Sequence, residues 1–237
     1  MNRQIPIEMR GHLRFSSKRY GTTTRGLPLE VWLPSSGETD LLIFAAIHGE
    51  ETETTALLSK ALRSIESTPE RCAVVLSANP DGALLGTRGN ARGVELNRNF
   101  PASNWQEAPV KTRWSPAGER VAFSTGEKPG SEPETQGLMN LMKHLNPETT
   151  ISLHAPLGCI DDPKDSPLGN WIAEQSGLKM VREIGYPTPG SFGSWCAEND
   201  FHVITYELPG QSVSELQSTH LPILIDLLLG CSDCLNL

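Results

Sequence analysis

Three residues of this chain could share one metal ion: His48, Glu51 and His154. A fourth, Glu207, could carry a proton beside them. Two histidines and one carboxylate form the ligand set of a catalytic zinc that keeps a coordination position open. A free carboxylate next to such an ion is what activation of a water requires. Together these side chains describe zinc-assisted hydrolysis of an amide bond. Glu50 competes with Glu51 as the carboxylate. The three-residue separation from His48 favours Glu51, because it sets that side chain on the helical turn that follows a histidine at a strand end.

Each candidate follows a short apolar run that reads as a buried strand: residues 41–47 lead into His48, 150–153 into His154, and 203–206 into Glu207. In an open α/β sheet, the carboxyl ends of the strands are where sites are built. After His48, Leu58, Ala61, Leu62 and Ile65 recur at helical spacing and predict a helix over 52–65, with Glu51 at or near its first turn. Residues 72–78 read as a strand closed by Asn79-Pro80-Asp81-Gly82. A helix starts at 131–134 with Ser131 as its N-cap, buries Leu138, Leu141, Met142 and Leu145, and is ended by Pro147. A last helix covers 212–229. Stretches 101–129, with Trp105, Trp114, Pro109 and Pro116, and 186–195 show little periodicity and read as loops bordering a cleft. The fold class expected is α/β, one domain over 1–237, with a mixed, largely parallel twisted sheet flanked by helices.

With 237 residues, the chain can bury one sizeable core. Its 38 % hydrophobic and 20 % charged content are those of a soluble globular protein. A net charge of -8 argues against a nucleic-acid partner, which would meet a basic face. No apolar run reaches the length of a membrane span, and the first twenty residues mix charged and polar types unlike a secretory signal. The five cysteines are an odd number in a chain too long to be a disulfide-stapled module. Cys72 reads as a core thiol and Cys159 and Cys196 as isolated ones. Cys231 and Cys234 have CxxC spacing without a second pair to complete a four-thiolate site. These features point to the cytoplasm, with no nucleic-acid or membrane partner. The oligomeric state stays open, a homodimer included. His12, His144, His202 and His220 read as structural or surface residues.

A second cluster spans 87–100. Its arginines suit capture of a carboxylate and stabilisation of an oxyanion, and Asn97 beside Arg98 adds donors for one anionic group. Arg92 reads as a solvated charge.

HxxE at 48–51, NPDG at 79–82, RxNxxGVxLNRNF at 88–100, the histidine at 154 and Tyr-Glu-Leu at 206–208 occur in one order. In that combination the chain resembles the zinc metallocarboxypeptidase family. The resemblance implies that His48, Glu51 and His154 bind one zinc and that Glu207 is the general base and acid. It implies that Arg88 polarises the scissile carbonyl and that Asn97 and Arg98 hold the free carboxylate of the residue after the scissile bond. Tyr186 falls where that family has a mobile substrate-capping tyrosine. Segments 87–93, 124–126, 129–135 and 189–196 bring the resemblance closer to the murein peptide amidases of this family. That implies a murein peptide substrate, cut at its γ-D-glutamyl–meso-diaminopimelate bond during cytoplasmic recycling. Glu95 stands where the family often has Asp, so an acid is retained. For the far end of diaminopimelate, Asp161, Asp162 and Lys164 are candidate contacts, and Gly190 and Gly193 would leave room for a long side chain. Competing readings are a zinc deacylase of small acylated amino acids, an α-peptide metallocarboxypeptidase, and a non-catalytic zinc-dependent peptide binder. A pure binder has no need of Glu207.

Overall fold

The computed structural model describes residues 12, 13, 15–113 and 120–230. The chain opens with an antiparallel pair, β1 (Lys18–Thr22) and β2 (Pro28–Val31), and enters the central sheet through β3 (Leu41–Phe44). There follow α1 (Thr52–Leu62), β4 (Cys72–Val75), α2 (Pro80–Leu85), a second antiparallel pair β5 (Val110–Arg113) and β6 (Arg120–Phe123), and α3 (Pro133–Leu145). The remainder is β7 (Thr149–His154), β8 (Leu157–Asp161), α4 (Pro167–Ser176), β9 (Lys179–Val181), α5 (Phe192–Glu198), β10 (Val203–Pro209) and α6 (Val213–Leu229).

The central sheet has the order β4-β3-β7-β10-β8-β9, and every neighbouring pair is parallel except β10 with β8. Every residue of β3 and β4 is buried, as expected for strands covered on both faces, which read as continuous apolar runs. Strand alternation divides them between two cores. Leu41 and Ile43 pack with Leu57 and Leu58 of α1 and Leu224 and Leu228 of α6. Leu42 and Phe44 pack with Leu138 and Met142 of α3 and with Phe192 and Trp195 of α5. The expected α/β fold with its mixed, largely parallel sheet is therefore present. No helix among the described residues is long and apolar enough to cross a membrane.

Several local expectations change. Asn79-Pro80-Asp81-Gly82 opens α2 instead of merely closing a strand: Asn79 Oδ1 accepts from Gly82 N at 2.9 Å, and Pro80 occupies the first helical position, where its missing N–H costs nothing. In α3 the N-cap is Glu132, one residue later than expected, because the Ser131 hydroxyl donates to Glu132 Oε1 at 2.7 Å instead of capping the helix. The 101–129 stretch contains the β5–β6 pair, and the 186–195 stretch runs into α5, whose N-cap Ser191 accepts from Ser194 N at 3.0 Å. The last helix forms as expected, with a capping box between Ser212 and Glu215 and a left-handed Gly230 at its end. Trp114, Pro116 and the Cys231–Cys234 pair lie outside the described residues.

Candidate metal centre and active site

His48 follows β3 through a strained turn: Ala46 has φ 50°, and its N–H donates to Thr54 Oγ1 of α1 at 3.2 Å. Gly49 is required there. A Cβ at this position would lie 2.1 Å from the Gly82 carbonyl carbon and 2.5 Å from Thr87 O. This close packing of loop on loop, together with the Gly49 N to Arg88 O hydrogen bond of 3.3 Å, sets Arg88 beside His48. Glu51 is the N-cap residue of α1, and His154 ends β7.

The three candidate ligands converge. His48 Nδ1 is 2.7 Å from Glu51 Oε1, His154 Nδ1 is 3.2 Å from Glu51 Oε2, and the two Nδ1 atoms are 3.2 Å apart. All three residues are about 95 % buried, and their ligand atoms lie within 4.8 Å of one another. Two imidazole nitrogens and a carboxylate gathered away from water fit a divalent cation of the zinc type, with one position left for solvent or substrate. Glu50, the competing carboxylate, is turned away toward Arg88 Nη1 at 3.1 Å.

The outer nitrogens of both rings are also held. His154 Nε2 meets Ser152 Oγ at 2.9 Å, and His48 Nε2 meets Glu95 Oε1 at 3.0 Å. Such partners fix the tautomer and aim the inner nitrogen at the centre. Arg88 Nη2 also lies 3.0 Å from His48 Nε2. Two donors cannot satisfy each other, so the His48 proton goes to Glu95 and Arg88 acts there as a neighbouring charge. From the sequence, Glu95 stands out only as a retained acid. Its role here, fully buried between His48 and Arg88 with Arg88 Nε donating to Oε2, was recognisable only from its place within the arginine cluster.

The charges of the cluster are interlocked. Burial alone would raise Glu51, but His48 and His154 hold it well below the ordinary carboxylate range. Glu95 is likewise held low against burial by His48 and Arg88. Burial and Arg88 push His48 down, but Glu51 and Glu95 outweigh them and keep the imidazole at about 9. Glu207 moves the other way: burial raises it above the ordinary value, with Glu51 adding and His154 opposing.

Glu207 lies within β10, which continues to Pro209, and not at a strand end as expected. The strand extends because Glu207 and Pro209 pair antiparallel with Cys159 and Leu157 of β8, a strand the apolar pattern did not announce. All eight residues singled out above, His48, Glu51, Arg88, Asn97, Arg98, His154, Tyr186 and Glu207, line one cavity of about 440 Å³. Asn97 Oδ1 accepts from Phe192 N at 2.8 Å, so its amide NH2 is the end that remains for a ligand. Arg98 is buried, and burial lowers its pKa despite Glu95. Its Nη1 donates to Asn97 O at 2.6 Å. Tyr186 stands 53 % exposed at the cavity wall.

Other expectations divide. Gly190 does not make room for a ligand: a Cβ there would sit 2.6 Å from Trp105 Cδ1 and 2.7 Å from Arg98 O, so the glycine lets two loops meet. Gly193 does line the cavity. His202 and His220 are structural, paired with Asp162 Oδ1 at 2.9 Å and with the Tyr206 hydroxyl at 2.6 Å. Cys72 and Cys196 are buried free thiols, and Cys159 is a half-buried one.

A buried His-Glu-His centre beside a raised carboxylate, at the ends of parallel strands in a mixed sheet, defines a metallohydrolase. The chain belongs to the zinc carboxypeptidase family, whose pattern matches residues 13–160. Among its relatives, murein peptide amidase A of Escherichia coli is 45 % identical over 227 residues, covering 94 % of this chain and 93 % of the relative. Murein peptide amidase A of Vibrio campbellii is 41 % identical over 229 residues, covering 94 % and 92 %. The crystal structure of the murein-tripeptide amidase of Escherichia coli O157 superposes with a TM-score of 0.90 at 44 % identity, covering 97 % of this chain and 98 % of that one. Thrombin-activatable fibrinolysis inhibitor superposes at 0.70 with 17 % identity, a likeness of fold alone.

Proposed function

We propose that this protein is a zinc-dependent amidase that hydrolyses the γ-D-glutamyl–meso-diaminopimelate bond of murein tripeptide, L-Ala-γ-D-Glu-meso-diaminopimelate. The observation that carries the reading is the placement of Glu207 beside the His48–Glu51–His154 centre in one cavity that also holds Asn97 and Arg98. Identity of 41–45 % to murein peptide amidases over nearly the whole chain supports the substrate.

His48, Glu51 and His154 would hold one zinc. When bound, zinc supplies Lewis acidity, which makes water a better nucleophile and a carbonyl a better electrophile. Asn97 and Arg98 bind the free α-carboxylate of the diaminopimelyl residue and fix the scissile bond in the cavity. Glu207 takes the proton of the attacking water and then delivers it to the departing amine. Burial raises its pKa above the ordinary carboxylate value, which helps it hold the proton between the two halves of that task. Arg88 donates to the oxygen on which negative charge develops. Glu95 keeps Arg88 and His48 in place. Tyr186 covers the bound peptide from the cavity wall. We place the reaction in the cytoplasm, which the free thiols suit.

Mass-spectrometric hydrolysis of the γ-linked tripeptide beside its α-linked isomer, with and without a zinc chelator, tests this. Chelator-sensitive release of diaminopimelate from the γ-linked peptide alone is expected. Cleavage of the α-linked isomer instead would make the protein an α-peptide carboxypeptidase. Cleavage of neither by zinc-loaded protein would move it to the small-molecule deacylases.

A further inference from the structure

The cavity contains a carboxylate that the reaction does not use. Asp161 ends β8 and lines the cavity with Thr205 and Glu207 of β10. Asp161 and Thr205 are register partners, as are Cys159 and Glu207. Side chains two apart on a strand, and those directly opposite across a ladder, share a face. Asp161 therefore stands on the same face as Glu207, one pair further along. Diagonal neighbours of this kind across a ladder stand roughly 7–8 Å apart.

Asp161 is also unpaired. Its Oδ1 is sealed from solvent without a hydrogen-bond partner, and the side chain makes no ion pair among the described residues. Its neighbours carry its own sign: burial first, then Asp162, Glu207 and Glu183 raise it to about 6. The adjacent acid is different. Asp162 is fully buried and accepts from His202 Nε2, from Ser166 N and Oγ, and from Lys164 N. Of the three candidates read from the sequence, Asp162 is consumed by the fold, and Lys164 is not part of the cavity lining. An under-satisfied carboxylate in a ligand cavity costs the protein free energy unless a cation arrives.

We propose that Asp161 is a specificity-determining residue that pairs with the ammonium on the second stereocentre of the released diamino acid. The inference rests on the amidase reading above. The spacing agrees with it: the scissile nitrogen and the distal nitrogen of diaminopimelate are six bonds apart, about 7 Å when extended. Glu207 serves the first nitrogen and Asp161 the second.

The test compares two substrates, the diaminopimelate tripeptide and the same tripeptide ending in L-2-aminopimelate, which lacks only the distal amino group. The wild type should prefer the first by roughly 10- to 100-fold in kcat/KM, the cost of deleting one charge-assisted contact. In Asp161→Asn this ratio should collapse to within a few-fold of unity, and Asp161→Glu should restore part of it. A wild type that cleaves both peptides equally well overturns the assignment without any variant. So does an Asp161→Asn enzyme that keeps the wild-type ratio. A wild type that cleaves neither peptide removes the amidase reading itself and this inference with it, an outcome distinct from cleavage without preference.

Discussion

Glu207 and His154 are register partners on adjacent parallel strands, β10 and β7. The sheet therefore sets the proposed proton carrier beside a candidate metal ligand by backbone pairing, without any loop between them. This separates the two roles experimentally. Glu207→Gln keeps the shape and the strand pairing, so zinc content measured by elemental analysis should stay at the wild-type level. Turnover should fall about 100- to 10,000-fold, the range of general acid–base catalysis. A variant with near-native turnover would refute the role.

Zinc binding should also report on the fold. A ligand that binds only the folded state stabilises it by RT ln(1 + L/Kd), with L the free ligand concentration, so the Tm rises with free ligand. Chelation should lower the Tm and abolish activity, and added zinc should restore both. In His154→Ala the Tm should lose most of its response to zinc. An equal zinc response in wild type and variant would remove His154 from the ligand set.

Arg98→Ala should act on binding. The residue is buried at the cavity, where loss of a charge-assisted contact costs about 1.5–3 kcal/mol. The expected result is a KM raised roughly 10- to 100-fold for the tripeptide, with a smaller effect on kcat. An unchanged KM would mean that the free carboxylate is held elsewhere.

Much of this site could be read from one-dimensional pattern, because its residues follow apolar strands. His48 closes an apolar run whose first part folds as buried β3, and His154 is the last residue of β7. What the pattern missed was made by tertiary pairing. The alternation in β8 is weak, with Leu157 49 % exposed and Ile160 fully buried, and its antiparallel place beside β10 follows from the neighbour and not from its own sequence. For that reason the sequence marks Asp161 only as one of the charged residues that follow His154. Glu95 was hidden in another way: a single acid among arginines reads as a surface ion pair until His48 is brought to it from 47 positions away in the chain.

Gly49 offers a sharp steric test. Its added Cβ would meet backbone atoms of Gly82, Ala83 and Thr87, none of which can rotate away. Gly49→Ala should cost about 3 kcal/mol or more, at or above the upper end of ordinary overpacking. It should also weaken zinc binding, because His48 and Glu51 flank the displaced loop. At Gly193 the nearest atom to an added Cβ is Ser191 Oγ at 3.8 Å, so Gly193→Ala should leave the Tm within a few degrees of wild type. Equal Tm values for the two variants would show that the Gly49 loop yields.

Asp162 should govern acid stability. It holds the segment after β8 through four accepted hydrogen bonds, and one of its donors, His202, precedes β10. Against burial, these contacts lower its pKa from the ordinary 3.8 to about 2. A carboxyl depressed in the folded state stabilises the protein fully above its unfolded pKa and loses that contribution as the pH falls through the folded value. Asp162→Asn should therefore be less stable than wild type by about 2–3 kcal/mol near neutrality, from the loss of charged hydrogen bonds. The gap should narrow as the pH falls below 3.8 toward about 2. Urea unfolding of both proteins across that range measures it, and any loss of zinc in acid is common to both and cancels in the difference. A gap that stays constant down to the lowest pH would mean that Asp162 is as easily protonated in the folded chain as in the unfolded one.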